Sequence, residues 1–189
     1  MNNELDNFLG LLKGNKVMDA GCGTGRDTQY LFNNSCNVIG VDISEKMLAI
    51  ARNNRKNCIF VQSDLRKLDF EQNSFDGIWC SAVMPHYEDF EINQILKSLK
   101  KNLKSNGVLF ISFKIGNGLH IDTTYSSPRK MYYHTIKNCE SFLIKNGFKI
   151  ITKDTFNERD RYGKNYRDIN YLTLYCTLNN DLNCTQQCI

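Results

Sequence analysis

The chain has 189 residues, 41% of them hydrophobic, with a formal net charge of +4. That suffices for one domain of ordinary size and leaves no room for a second, and no 18-residue apolar run interrupts it. No basic stripe of the kind that tracks nucleic acid stands out, and eight scattered cysteines without a signal peptide fit a reducing cytoplasm, where thiols serve as small core residues.

Residues 3–13 place Leu5, Phe8, Leu9 and Leu12 at helical spacing, and Lys13-Gly14-Asn15 ends that helix. Residues 17–25, VMDAGCGTG, then read as an apolar strand closed by Asp19, a turn carrying Gly21, Gly23 and Gly25, and a helix starting at Arg26. Glycine tolerates positive φ and lets a ligand approach the backbone, and a helix beginning there offers unpaired N–H groups. Asp42 closes a second strand, residues 38–41, and lies 21 residues after Gly21, where a carboxylate can accept hydrogen bonds from both ribose hydroxyls of a nucleoside. Asp64 follows a third strand, residues 59–62, another 22 residues on. The dinucleotide fingerprint G-x-G-x-x-G is not met, because the third glycine comes one residue early.

At these residues the sequence resembles the class I S-adenosylmethionine-dependent methyltransferases, whose first motif, D/E-x-G-x-G-x-G, is matched in full by DAGCGTG. The resemblance runs from about residue 15 to 115. It implies S-adenosylmethionine as cofactor, held by Asp19, Gly21, Cys22, Gly23, Gly25, Arg26, Asp42, Ile43, Met47, Asp64, Leu65 and Ser81. Ile43 or Met47 would lie against the adenine ring, and Asp64 would accept from the adenine amino group beside the Leu65 N–H. Ser44 occupies an N-cap position, with Met47, Ile50 and Ala51 expected on the inner face of the helix that follows.

Residues 75–81, FDGIWCS, form the fourth strand, and residues 81–87 beyond its tip face the transferable methyl group. His86, preceded by Pro85, is the candidate general base. Ile92, Ile95, Leu96, Leu99 and Leu103 mark the cleanest helical face, a turn at residues 104–107 follows, and residues 108–113 are a strand buried on both faces. Residues 115–130 read as a long loop, a lid over the substrate. Tyr132 and Tyr133 precede a helix over 134–145, and strands 148–155 and 169–177 are joined by a polar hairpin, residues 157–168. The expected fold is α/β: a Rossmann-like, doubly wound sheet of about seven strands, mostly parallel with the last antiparallel, and helices on both faces. The domain covers residues 1–178, and residues 179–189 form a polar tail that holds the only close cysteine pair, Cys184 and Cys188; no metal site is expected.

Gly-Arg-Asp at 25–27, Ser-Phe-Lys at 112–114, Tyr132-Tyr133 and the Arg161 hairpin are similar to small bacterial methyltransferases of tellurite-resistance-like and small-acid type. That similarity implies an anionic small-molecule acceptor gripped by Lys114, Tyr132, Tyr133 and Arg161. A tRNA wobble-base methyltransferase and a non-catalytic S-adenosylmethionine-binding module are the alternatives, and the sequence does not give the oligomeric state.

Overall fold

The structure is a computed structural model that describes residues 2–124 and 127–179. The expected tail beyond Asn179, with Cys184 and Cys188, lies outside the described residues. In chain order the elements are α1 (Asn2–Leu11), β1 (Lys16–Ala20), α2 (Arg26–Asn33), β2 (Asn37–Asp42), α3 (Glu45–Asn54), β3 (Ile59–Gln62), β4 (Phe75–Cys80), α4 (Asp89–Asn102) and β5 (Leu103–Ile115). There follow β6 (Gly118–Asp122), β7 (Arg129–Tyr133), α5 (Ile136–Lys145), β8 (Phe148–Asn157), α6 (Glu158–Tyr162) and β9 (Asn170–Leu178).

Seven strands make one sheet in the order β3-β2-β1-β4-β5-β9-β8. Every pairing from β3 across to β5 is parallel, and β9 runs antiparallel to both of its neighbours. The doubly wound α/β expectation therefore holds, with β9 as the one reversed strand. Leu5 and Phe8 of α1 and Leu31 of α2 pack with Val17, Trp79 and Phe110 on one face. On the other, Ile95 and Leu99 of α4 and Cys139 and Leu143 of α5 pack with Met18, Ile78 and Ile111. Covered on both sides, β4 is buried at every position. The order of connection reverses between β1 and β4, and that is where a crevice opens at the carboxyl ends of such strands.

Several local expectations are corrected. Residues 115–130 are not one long loop: β6 and β7 form a hairpin in which Leu119 faces Tyr132 and Ile121 faces Lys130. Leu119 and Ile121 alternate with His120 and Asp122, a period-2 pattern hidden by the surrounding glycines and serines. Tyr132 and Tyr133 thus belong to a strand. In α3 the buried residues are Leu48 and Ala51, whereas Met47 and Ile50 are 39% and 46% exposed. Ser44, capping from Met47 N, sets a helical phase that turns Leu48 and Ala51 onto Phe60. The turn at residues 104–107 is a bulge within β5, since the ladder passes from Phe75 opposite Leu103 to Gly77 opposite Val108. The expected polar hairpin contains α6, whose first N–H groups at Arg159 and Asp160 are accepted by the Asn157 side chain.

Arg161 pins this last segment to α1. Its guanidinium pairs with Glu4, pairs with Asp154 at 2.9 Å and lies 3.7 Å from the centroid of the Phe156 ring. Beside it the Tyr175 hydroxyl donates to the Glu4 carbonyl oxygen at 2.9 Å. Glu4 is only 7% exposed, so removing its cation is costly. Arg161→Ala is expected to lower stability by about 1–3 kcal/mol, read as a reduced thermal midpoint, because a charge-assisted pair and a ring contact are lost together.

Candidate functional site

The site begins where β1 ends. Gly21, Gly23 and Gly25 all have positive φ, at 77°, 53° and 77°. The backbone N–H groups of Gly21 and Cys22 donate to the Val41 carbonyl oxygen, which holds the turn against β2. Asp42, at the tip of β2, accepts from the Gly23 N–H and the Ser44 N–H at 2.8 Å each. Its two oxygens thus organise the turn and the start of α3, with lone pairs to spare for a ligand.

A cavity of about 490 Å³ opens over this turn. Of the residues expected from sequence, Asp19, Gly21, Cys22, Gly23, Arg26, Met47 and Ser81 line it. Its floor is one face of β5 and β9: Ser112 pairs opposite Thr173, both almost fully buried, and Phe110 lies beneath them. Beyond β4, Ala82 holds φ at 58°, a strained value for a residue with a Cβ, and its N–H donates to Ser112 Oγ at 2.8 Å. The outer wall comes from the last third of the chain, with Phe156, Glu158, Tyr162, Arg167 and Tyr171.

Charge in the cavity is mostly compensated from within. Glu4 pairs with Arg161, Asp27 with Arg26 and with the indole N–H of Trp79, and Glu158 with Arg167. Asp19 differs: it is 3% exposed, accepts from Thr28, whose hydroxyl lies at 2.6 Å, and forms no ion pair among the described residues. Burial, reinforced by the Asp27 carboxylate, pushes its carboxyl up to about 7. Burial, with the Asp19 and Asp42 carboxylates nearby, pushes the Cys22 thiol well above its ordinary value, so it is no nucleophile. For Asp19 the folded state holds the proton more tightly than the unfolded chain, so its stabilising contribution is complete below about pH 4 and is lost as pH rises through about 7. The thermal midpoint of the ligand-free protein is expected to fall between pH 5 and 8 by more in wild type than in Asp19→Asn, the difference being on the order of 5 °C.

The remaining expected residues lie elsewhere. Gly25 backs onto Phe60, and Ile43 stands 50% exposed next to Asp42. Asp64 caps a short 3-10 turn, Leu65–Lys67, and is gripped by the Arg66 guanidinium, which holds its carboxyl below the usual range; Leu65 is buried beneath it. Neither Asp64 nor Leu65 lines the cavity. His86 ends a 3-10 turn, Met84–His86, and partial burial, with the cations Arg129 and Lys114 nearby, holds its imidazole below the ordinary value. The four residues expected to share one anion do not converge. Arg161 is committed to Glu4 and Asp154, the Tyr132 hydroxyl donates to Glu88 at 2.8 Å, and only Lys114 and Tyr133 lie together, the ammonium 5.5 Å from the ring centroid. Sequence reasoning missed Glu4, Ser112, Arg167, Tyr171 and Thr173. The alternation Tyr171, Thr173, Tyr175 was the available signal for a strand with one cavity-facing side.

Comparison with known proteins follows the geometry closely. Residues 17–107 match the family model described as a methyltransferase domain. The chain is 31% identical over 94 residues to a malonyl-[acyl-carrier protein] O-methyltransferase of Enterobacter lignolyticus, covering 50% of this chain and 37% of that protein. It is 29% identical over 133 residues to a ubiquinone biosynthesis O-methyltransferase of Coxiella burnetii, covering 68% and 51%. A SAM-dependent methyltransferase structure from Methanosarcina mazei superposes with a TM-score of 0.80 at 17% identity, over 93% of this chain and 96% of that one. The chain shares the fold of that structure. Residues 17–107, which hold the glycine turn, are the part that matches the family model, and β8 and β9 complete the sheet beyond it. The chain spans about half or less of the length of the two curated relatives. No helix among the described residues is long and apolar enough to cross a membrane.

Proposed function

We propose that the protein is an S-adenosylmethionine-dependent methyltransferase acting on a small, anionic acceptor. The observation that carries this reading is the union of an intact glycine turn, a strand-tip Asp42 already bonded to that turn, and an uncompensated buried Asp19 in one cavity.

The residues fit the cofactor piece by piece. Asp42 accepts from ribose hydroxyls, and Ile43 and Met47, apolar yet 50% and 39% exposed on either side of α3's start, offer the surface an adenine ring covers. Gly23 leaves the turn open, since a Cβ built there meets nothing nearer than the Met47 methyl at 3.5 Å. Asp19 provides the negative charge that a ligand ammonium requires. When bound, S-adenosylmethionine supplies a methyl group on a sulfonium. The chain's own part is placement: holding an acceptor lone pair in line about 3 Å from the methyl carbon removes several kcal/mol of the barrier. Ser112 and Thr173 present hydroxyls on the floor, and Phe156, Tyr162 and Tyr171 wall off water. His86, with a pKa below the ordinary value, is neutral at pH 7 and able to accept a proton from an acceptor that must lose one. Arg161, on which the narrower tellurite-resistance-like likeness leaned, is taken up in ion pairs, so the anionic reading rests on Lys114.

Calorimetric titration with S-adenosylmethionine, S-adenosylhomocysteine and NAD tests the reading. Binding of the first two and not of NAD is expected, with affinity rising as pH passes about 7 and that rise absent in Asp19→Asn. Binding of NAD alone, or of none, overturns it.

A further inference from the structure

Most charged groups around the cavity neutralise one another, and one buried cation beside it is left over. Along β5, Phe110, Ser112 and Lys114 share a face, and the first two form the cavity floor. Lys114 is one pleat further out, in register opposite Tyr171, which lines the outer wall. It is 3% exposed, yet its ammonium makes no hydrogen bond or ion pair among the described residues, its one close partner being the face of Tyr133. A buried lysine of this kind is rare unless something anionic completes it.

The charges facing it come from several elements: Arg129 of β7, Asp122 of β6, Glu158 of α6, Arg167 from the segment before β9, and the His86 imidazole. Arg129 pairs with Asp122 at 3.4 Å, and Arg167 pairs with Glu158 at 3.1 Å. Three cations thus meet two carboxylates, and the surplus positive charge resides on Lys114. Burial and the neighbouring Arg167 bring its amine down to about 8.

The neighbouring wall is aromatic. Phe156 and Tyr171 of the cavity wall stack with centroids 5.4 Å apart and planes 13° apart, and Tyr162 meets Phe156 edge-on, while Tyr133, against which the Lys114 ammonium lies, stacks on His120 outside the cavity lining. Such a collar favours a flat ring over an aliphatic chain, because offset and edge contacts add to burial.

Resting on the methyltransferase reading, we infer that the acceptor is a planar aromatic acid whose carboxylate is held by Lys114 and whose ring lies against Tyr171 and its neighbours. Lys114 is thereby the residue that selects for charge, and the aromatic wall selects for shape. Neither is part of the cofactor cradle.

The test is calorimetric titration of protein saturated with S-adenosylhomocysteine, using benzoate, cinnamate and 2-naphthoate, each against its neutral amide, with acetate as the ring-free anion. At least one aromatic acid is expected to bind about tenfold or more tighter than its amide and than acetate, in line with a charge-assisted hydrogen bond. That preference is expected to vanish in Lys114→Met, to return in part in Lys114→Arg, and to decline in wild type as pH rises through about 8. Affinity for S-adenosylhomocysteine is expected to stay unchanged in both variants, which also shows that they fold. Acids and amides binding alike, acetate matching the aromatic acids, or a preference surviving Lys114→Met overturns the inference while leaving the methyltransferase reading intact. Failure of wild type to bind S-adenosylhomocysteine overturns both.

Discussion

Asp42→Ala is expected to weaken S-adenosylhomocysteine binding by about a hundredfold or more while the chain stays folded. The carboxylate serves two masters: it accepts from Gly23 N and Ser44 N at 2.8 Å each, and in the proposed reading it accepts from two ribose hydroxyls as well. Hydrogen bonds to a charged group contribute about 1.5–3 kcal/mol apiece, so losing two ribose bonds alone accounts for a hundredfold. The turn itself loosens too, since two backbone donors lose their acceptor. Asp42→Asn separates these effects: it keeps one carbonyl oxygen for the turn and is expected to bind with intermediate affinity. The measurement is calorimetry on both variants, with circular dichroism to confirm the fold. Wild-type affinity in Asp42→Ala would place the nucleoside elsewhere.

Gly25→Val is expected to lower stability strongly. Gly25 holds φ at 77°, and a Cβ built there comes within 2.6 Å of the Phe60 ring and 3.3 Å of Ala51. Left-handed backbone costs a residue with a side chain about 1–2 kcal/mol, and forcing a branched group into a packed space adds about 1–3 more. A total of about 2–5 kcal/mol is on the order of 10 °C in thermal midpoint for a chain of this length. Gly10 provides the contrast: it lies in α1 with nothing within 4 Å of a built Cβ, so Gly10→Ala is expected to be neutral or slightly stabilising. Equal losses at both positions, read by thermal denaturation, would contradict the packing argument.

The glycine-turn side of the molecule was legible because its signals are local. Residues 17–25 announce strand, turn and helix within nine residues, and Asp42 declares itself by its place at a strand tip. The phase of α3 was legible only in part. Met47, Leu48, Ile50 and Ala51 are all apolar, and only the cap at Ser44 and the position of Phe60 decide which pair turns inward. The far side of the cavity was not legible, because its residues meet through topology and not through sequence. Glu4 and Arg161 are 157 positions apart, and Ser112 reaches Thr173 only because β9 runs beside β5. Arg161 looked like a free cation on a polar hairpin; carboxylates from α1 and β8 show why it is not one.

The position of β9 bears on how this molecule comes into being. It does not add to an edge of the sheet; it slides into a slot between β5 and β8, both made earlier in the chain. While a ribosome is still delivering residues 170–178, those two flanking strands hold open backbone groups toward each other, the condition under which strands recruit the wrong partner. Tyr171 and Thr173, two of the six residues that the last third of the chain gives to the cavity lining, arrive with the same strand. Closure of the sheet and completion of the site are therefore a single event, and a nascent chain short of β9 has neither.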